Sequence, residues 1–162
     1  IYTCQSIILF INLKGYYMNI TLADVDKNNY EDVCDLTVTD DQCEYVADNV
    51  WSLVESKFNP SYQTRAICLD GKPVGFFMWV PETDQKTSIW RFMVDQQHQN
   101  KGIGRQAMLL ALNEIRQTNG LKEIEICYKP SNTVASNFYA SFGFVEVGMD
   151  EKNEEMLAII KI

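Results

Sequence analysis

Two short stretches carry residue types that chemistry needs. The first is Gln99-Asn100-Lys101-Gly102-Ile103-Gly104-Arg105, where two glycines follow one apolar run and open another. Glycine at such a seam permits positive φ and lets a second molecule approach the backbone. A helix starting there leaves its first-turn N–H groups unpaired, an array of donors with a positive partial charge. A phosphate or pyrophosphate is the natural occupant, with Lys101 and Arg105 adding charge at the rim. A loop-and-cap pair that holds no ligand is the alternative these residues leave open. The dinucleotide pattern G-x-G-x-x-G would place its third glycine where Ala107 stands. Alanine is a permitted variant, but the preceding strands read as an antiparallel run, not the opening of a βαβ unit.

The second stretch, YKPSNTVASNFYASFGF, places Asn132 after a strand-like run, Tyr139 on a helix-like one and Gly143-Phe144 at its end. Asn132 is at the least an N-cap or turn residue. A phenol, with a pKa of about 10, stays protonated at neutral pH and can donate its proton. Histidine and thiol chemistry are poorly supplied. His98 is the one histidine, and the five cysteines (Cys4, Cys34, Cys43, Cys68, Cys127) contain no C-x-x-C pair. They read as free thiols in a reducing, cytoplasmic setting, with no disulfide framework and no metal centre.

The elements that must position these residues follow from periodicity and punctuation. Asn19–Val25 reads as a first strand and Asn29–Leu36 as a helix. Val46, Val50, Leu53, Val54 and Phe58 recur at helical spacing, which makes Glu44–Phe58 an amphipathic helix ended by Asn59-Pro60. Thr64–Leu69 and Pro73–Val80 are strands joined by Asp70-Gly71, a hairpin signal, and Pro81–Lys86 is a polar connection. Ser88–Asp95 is a fourth strand, Gly102–Thr118 a helix stopped at Asn119-Gly120, and Glu123–Lys129 a fifth strand. A helix over Thr133–Phe142 and strands over Phe144–Gly148 and Met156–Ile160 complete an α+β domain with a mixed, mostly antiparallel sheet of about seven strands flanked by helices.

The chain has 162 residues, 46% of them hydrophobic, enough for one domain with a sizeable core. Its formal charge of −8 argues against nucleic acid as a partner and favours cationic ones. Ten acidic residues against Lys27 alone lie between Asp24 and Glu55, either a solvated face or a cation-facing one. The apolar run Ile7–Ile11 is too short to span a membrane. Met18 reads as the start of the domain, residues 18–162, with residues 1–17 an upstream or non-native extension whose apolar content suits an added strand.

Taken together, the two stretches resemble the GNAT superfamily of acetyl-CoA-dependent N-acetyltransferases. The family's pyrophosphate loop, [RQ]-x-x-G-x-[GA], is matched by Gln99, Gly102 and Gly104. Its later element, N-x-x-[AS]-x-x-[FL]-Y-x-x-x-G-F, is matched by Asn132, Ala135, Phe138, Tyr139, Gly143 and Phe144. YVADNVWSL, PVGFFMW and IWRFMVDQQHQNKGIGRQAM look, in that order, like the diamine/spermidine acetyltransferase subgroup.

The resemblance implies a fold in which the fourth and fifth strands splay apart and acetyl-CoA enters the gap. Its pantetheine arm would run along the backbone of Phe92 and Val94, and its pyrophosphate would lie on the amides of Gln99, Asn100, Lys101, Gly102, Ile103 and Gly104, near Arg105. A free N–H on the fourth strand would stabilise the oxyanion. Asn132 would hold the cofactor arm, and Tyr139 would be the general acid for the leaving thiolate. A homodimer is the family's default assembly.

The acceptor must be neutral to attack, yet an alkyl amine with a pKa near ~10.4 is neutral in only about one molecule per thousand at pH 7. Many family members carry a glutamate on the fourth strand for this purpose, but that strand reads SIWRFMV here, with no carboxylate before Asp95. Glu44, Asp48, Glu55, Glu82 and Glu125 are the candidate bases, and His98 sits in the phosphate loop, away from the thioester. A small polycationic amine needs carboxylates along a groove with aromatics between them. Glu44, Asp48, Trp51 and Glu55 along one helix face, with Glu82 opposite, fit a polyamine or diamine. An aminoglycoside-like drug, a protein amine, or a non-catalytic acetyl-CoA-binding module are the alternatives. Arg91, facing away from Phe92, is expected to pair with an acid of the second helix.

Overall fold

The computed structural model describes residues 10–11 and 17–162, with side chains from Met18 onward. A two-residue ribbon pairs Phe10–Ile11 with Tyr17–Met18; the rest of the expected extension lies outside the described residues. The main sheet has seven strands: β1 (Ile20–Asp24), β2 (Gln63–Leu69), β3 (Lys72–Thr83), β4 (Lys86–Val94), β5 (Glu123–Tyr128), β6 (Val145–Met149) and β7 (Met156–Lys161). Their order across the sheet is β1-β2-β3-β4-β5-β7-β6, antiparallel throughout except for β4 against β5. The β2–β3 hairpin turns at Asp70 (φ 50°) and Gly71 (φ 83°), two positive φ values in succession as its tight turn requires.

The sheet is buried on both faces along its centre, so β3 reads as an unbroken apolar run. Phe77 and Trp79 point to one face, where α3 (Ile103–Ile115) lays down Ala107, Met108, Ala111, Leu112 and Ile115, and α4 (Thr133–Ala140) adds Phe138 and Tyr139. Phe76 and Met78 point to the other face, towards Val33 of α1 (Tyr30–Asp35) and Leu53 of α2 (Asn49–Phe58).

The parallel pairing of β4 and β5 runs only from Lys86↔Glu123 to Ile89↔Ile126. At the next residue β4 carries a bulge: Met78 pairs with Arg91 and Trp79 with Ile89, leaving Trp90 without an opposite number. A bulge bends its strand and ends regular pairing. The strands therefore part beyond Ile89, the splay that the resemblance implied.

Three sequence expectations are corrected. The helix expected over Glu44–Phe58 begins only at Asn49, because Asp48 caps it, its Oδ1 accepting from the N–H of Val50 (2.6 Å) and Trp51 (3.4 Å). Glu44 lies in the turns before it, off the face shared by Asp48, Trp51 and Glu55. The apolar stripe of this helix also faces outward: Val50, Val54 and Phe58 are exposed and Trp51 is 64% exposed, while Asn49 and Ser52 are buried. Asn49 is held inside by donating to the carbonyl of Val33 (2.9 Å), and Ser52 Oγ by accepting from Arg91 Nε (3.2 Å). The polar connection expected over Pro81–Lys86 is mostly strand: β3 runs on through Glu82 to Thr83, and Thr83 pairs with Lys86 across Asp84-Gln85.

Candidate active site

The phosphate-loop residues lie where β4 hands the chain to α3. Asp95 starts the loop, its carboxylate accepting from Thr37 N–H (3.0 Å) and Gln97 N–H (3.0 Å). Burial works against the charged carboxylate, but these bonds and His98 outweigh it, so its pKa is lowered. His98 Nδ1 is 3.4 Å from Asp95 Oδ1, a loop contact. Gln99 donates to Val94 O (3.0 Å) and Gln42 Oε1 (2.7 Å), tying the loop to the end of β4 and to the α1–α2 connection. Asn100 (φ 58°) and Gly102 (φ 82°) both take the left-handed conformation that turns the chain into α3.

Among the described residues no side chain caps α3, and its first closing bond is Gln106 N–H to Gly102 O (3.2 Å). The N–H groups of Ile103, Gly104 and Arg105 thus stand at an open helix end. A Cβ on Gly104 would meet nothing closer than Val94 Cγ2 at 3.6 Å, so glycine is not demanded there by packing; its bare backbone lines a cavity. Lys101 and Arg105 are exposed, Lys101 Nζ donating to Gln97 O (2.6 Å) and Arg105 to Ser141 Oγ (2.9 Å) over the Phe142 ring. This chemistry suits a pyrophosphate.

The cavity, about 380 Å³, occupies the gap between β4 and β5. Gly104, Asn132 and Phe138 line it on the α3–α4 side, and Tyr45, Val46, Trp90 and Arg91 on the α1–α2 side. Because Phe138 packs on one core and Val46 and Trp90 on the other, the cavity passes through the sheet. Met93 O sits against Gly75, 2.5 Å from where a Cβ would be, so the peptide groups of Met93 face β3. Those of Phe92 and Val94, one residue either side, face the gap. Asn132 caps α4, accepting from Ala135 N–H (3.0 Å), and lines the cavity as well.

Tyr139 lines the same cavity, stacked on Tyr128 with ring centroids 6.0 Å apart. Burial, then Cys127 and Tyr128, raises its phenol pKa above the ordinary value, so it carries its proton throughout the neutral range. Its hydroxyl has no hydrogen-bond partner among the described residues. Cys127 faces the opposite side of β5 from Ile126 and Tyr128, away from the α3–α4 core. Its pKa is pushed up to about 12, by desolvation first and then by the carboxylates of Glu155 and Glu125.

The expected acceptor residues stand around the α1–α2 mouth without forming its wall. Glu44 is exposed beside Tyr45, Asp48 is used as a cap, and Trp51 projects outward. Glu82 accepts from Trp90 Nε1 (3.1 Å), and Glu55 lies 3.6 Å from Arg91 Nη2, the expected ion pair. Glu125, below the gap, is taken by Lys86 (2.6 Å) and Ser88 (3.4 Å). Sequence reasoning missed Glu155, which lines the cavity from the β6–β7 turn. Its one sequence signal is its place just before the alternating strand Met156–Lys161, on the phase of Leu157 and opposite the core residue Ala158.

A seven-stranded sheet opened between two parallel strands, with an uncapped helix end at the gap, is the architecture of an acetyltransferase. A profile of the acetyltransferase (GNAT) family matches residues 28–144, more than half of the chain, and the chain belongs to that family. It is similar to a spermine/spermidine N(1)-acetyltransferase of Bacillus subtilis, 26% identical over 149 residues, which cover 88% of this chain and 98% of that one. Among solved structures, a spermidine N-acetyltransferase from Vibrio cholerae in complex with CoA and spermine shares the fold (TM-score 0.71, 16% identity, 88% of this chain, 95% of that one). An aminoglycoside acetyltransferase in complex with coenzyme A shares it equally well (TM-score 0.72, 16% identity, 88% of this chain, 94% of that one). Among the described residues no group of three or more His, Cys, Asp or Glu is placed to hold a metal ion, and no helix is long and apolar enough to cross a membrane.

Proposed function

We propose that the chain transfers acetyl from acetyl-CoA to a primary amine of a small cationic acceptor, a polyamine or diamine, by direct attack on the thioester. The observation that carries this reading is the through-sheet cavity, with an open helix end at one mouth and acidic surroundings at the other. The amides from Gln99 to Gly104, with Lys101 and Arg105 at the rim, would hold the pyrophosphate of acetyl-CoA, and Phe92, Val94 and Asn132 would hold its pantetheine arm. Acetyl-CoA supplies the activated acetyl group. A gap-facing N–H of β4 stabilises the oxyanion, and Tyr139 protonates the thiolate.

The acceptor enters from the α1–α2 side, where Glu44, Asp48, Trp51, Glu55 and Glu82 supply charge and an aromatic face near the mouth. Net charge of −8 and the similarity to a polyamine acetyltransferase support a cationic acceptor. Cys127 is the one thiol that lines the cavity among the described residues; its raised pKa disfavours it as an acyl carrier and so favours direct transfer, although its side chain is exposed. A cytoplasmic location, in which the free thiols stay reduced, and a homodimer belong to the same proposal, the outward stripe Val50, Val54 and Phe58 supporting the latter.

The test is a panel assay of thiol release from acetyl-CoA with spermidine, spermine, putrescine, an aminoglycoside and a lysine peptide. The reading expects the polyamines to lead in kcat/KM. Inert polyamines beside a reactive aminoglycoside or peptide would overturn the acceptor class, and CoA binding without turnover of any amine would mark a binding module.

A further inference from the structure

The amine end needs a proton acceptor, and the fourth strand supplies none. Of the candidates the sequence offered, Asp48 caps α2, Glu125 is paired with Lys86, Glu82 is bonded to Trp90, Glu55 sits behind Arg91, and Glu44 points to solvent. Glu155 is the one carboxylate that lines the cavity among the described residues. From its position we infer that Glu155 is the catalytic base of the transfer, taking the proton of the incoming ammonium directly or through one water. This inference rests on the amine-acetylation reading above.

Three observations place it. Met156 pairs with Tyr128 and Leu157 with Cys127, so β7 delivers Glu155 to the end of β5 where the gap is widest. Met156 packs on the α3–α4 core, so Glu155, one residue earlier, projects to the face of Cys127 and Arg91 from which an acceptor enters. Its backbone is clamped: Glu155 N–H donates to Asp150 Oδ1 (3.0 Å), and Asp150 N–H donates to Glu155 O (2.8 Å). Asp150 also accepts from Glu154 N–H (2.7 Å), and these backbone bonds to Glu155 and Glu154 hold its carboxyl below the usual range. Asp150 is a positioning residue, and the acidic turn Asp150–Glu155 is a device for presenting one carboxylate.

The charged and titratable groups around Glu155 are Cys127, Tyr128, Lys129 and Glu125 of β5 and its end, Arg91 of β4, Tyr139 of α4, Tyr45 of the α1–α2 connection and Asp150 of its own turn; Lys129 follows Tyr128, the partner of Met156, and is the cation nearest in register. Cys127, whose pKa is raised, stays a neutral neighbour of Glu155, and Arg91, partly neutralised by Glu55, opposes a second cation at the reacting point. The ammonium gives one proton to the Glu155 carboxylate, which passes it to solvent. The freed lone pair forms the N–C bond, the C–S bond breaks with its electron pair on sulfur, and Tyr139 protonates that sulfur. The second nitrogen proton returns through water to the Tyr139 phenolate. Acetyl-CoA and R–NH₃⁺ give the acetamide, CoA–SH and one H⁺.

The experiment compares kcat/KM against pH for the whole chain and for Glu155→Gln, using the best acceptor of the panel. Wild type is expected to be flat between pH 7 and 9, because the enzyme accepts the ammonium. Glu155→Gln must wait for free neutral amine, so its kcat/KM is lower by about 10²–10³-fold at pH 7 and climbs about tenfold per pH unit towards the amine's own pKa near ~10. Its deficit shrinks with a fluorinated acceptor whose terminal amine is largely neutral at pH 8. Glu155→Asp recovers part of the rate, and Asp150→Asn lowers kcat while the profile stays flat. Acetyl-CoA affinity, measured by calorimetry, is unchanged in Glu155→Gln and certifies folding. A Glu155→Gln enzyme that raises KM alone, or whose own profile stays flat, overturns the inference while leaving polyamine acetylation standing. If polyamines are inert and another amine reacts, the acceptor class falls and the same comparison on that amine still decides the role of Glu155. Wild type inert with every amine overturns both.

Discussion

Replacing Tyr139 by phenylalanine removes one oxygen and leaves the stacked ring on Tyr128 and the edge contacts with Phe138 and Phe144 in place. The hydroxyl has no partner among the described residues, so its loss strands no donor or acceptor, and stability is expected to hold within about 0.5 kcal/mol. The catalytic effect is larger. General acid catalysis contributes about 10²-fold or more, so Tyr139→Phe should lower kcat by about 10²–10³, roughly 3–4 kcal/mol of barrier, with KM for acetyl-CoA nearly unchanged. The assay is thiol release under saturating acetyl-CoA, read from pH 6 to 9.5. Burial raises the phenol pKa, so wild type should show no alkaline limb from this group in that window. The sign for stability follows: the folded state keeps a proton that the unfolded chain loses near pH ~10, so this contribution is full below that pH and is lost as pH rises further. Tyr139→Phe should flatten the loss. A variant with kcat within twofold of wild type would refute the role of the phenol.

Gly102→Ala forces a Cβ onto a residue at φ 82°, which costs about 1–2 kcal/mol; a lower Tm with a raised KM for acetyl-CoA is expected, and an unchanged KM would separate the loop from cofactor binding. With acetyl-CoA and no amine, Cys127 should gain no acetyl group by intact mass, and iodoacetamide at pH 7.5 should label it more slowly than Cys43, although both are exposed, because its raised pKa leaves little thiolate. An acetylated Cys127 would replace direct attack by a two-step transfer. Arg91→Met strands the Glu55 carboxylate, whose Oε2 is buried with no hydrogen-bond partner among the described residues, and should cost about 1–2 kcal/mol after allowance for the partial exposure of both groups. Glu55→Gln should cost less, and equal losses in urea melts would contradict this ordering.

The loop and helix ends proposed to hold the cofactor were legible as structure because their signals are local. A left-handed turn needs Gly102, an uncapped helix start needs no side chain, and Asn132 and Tyr139 sit on one short helix that fixes their separation. The seven strands were legible from alternation and from the Asp70-Gly71 turn. The amine end depends on which elements meet, and there local reading fell short. Helical spacing found α2 but not its buried face, since Val50, Val54 and Phe58 read as core while Asn49 and Ser52 read as surface. Their order is inverted by partners distant in sequence: Val33 O for Asn49 and Arg91 for Ser52. Glu155 stands in the run DEKNEE, which reads as a solvated turn until β5 and β7 pair and bring it beside Cys127.

The central claim is that donor and acceptor meet through the sheet, in the gap that β4 and β5 leave beyond Ile89. A crystal structure of the protein with CoA and spermidine tests it most directly. The account predicts the pyrophosphate on the N–H groups from Gly102 to Arg105, the sulfur in the gap between Phe92 and Tyr139, and a terminal amine arriving from the α1–α2 side within hydrogen-bonding reach of Glu155, directly or through one water. CoA seated away from the α3 N-terminus, or an amine on the same face of the sheet as the CoA, would contradict it.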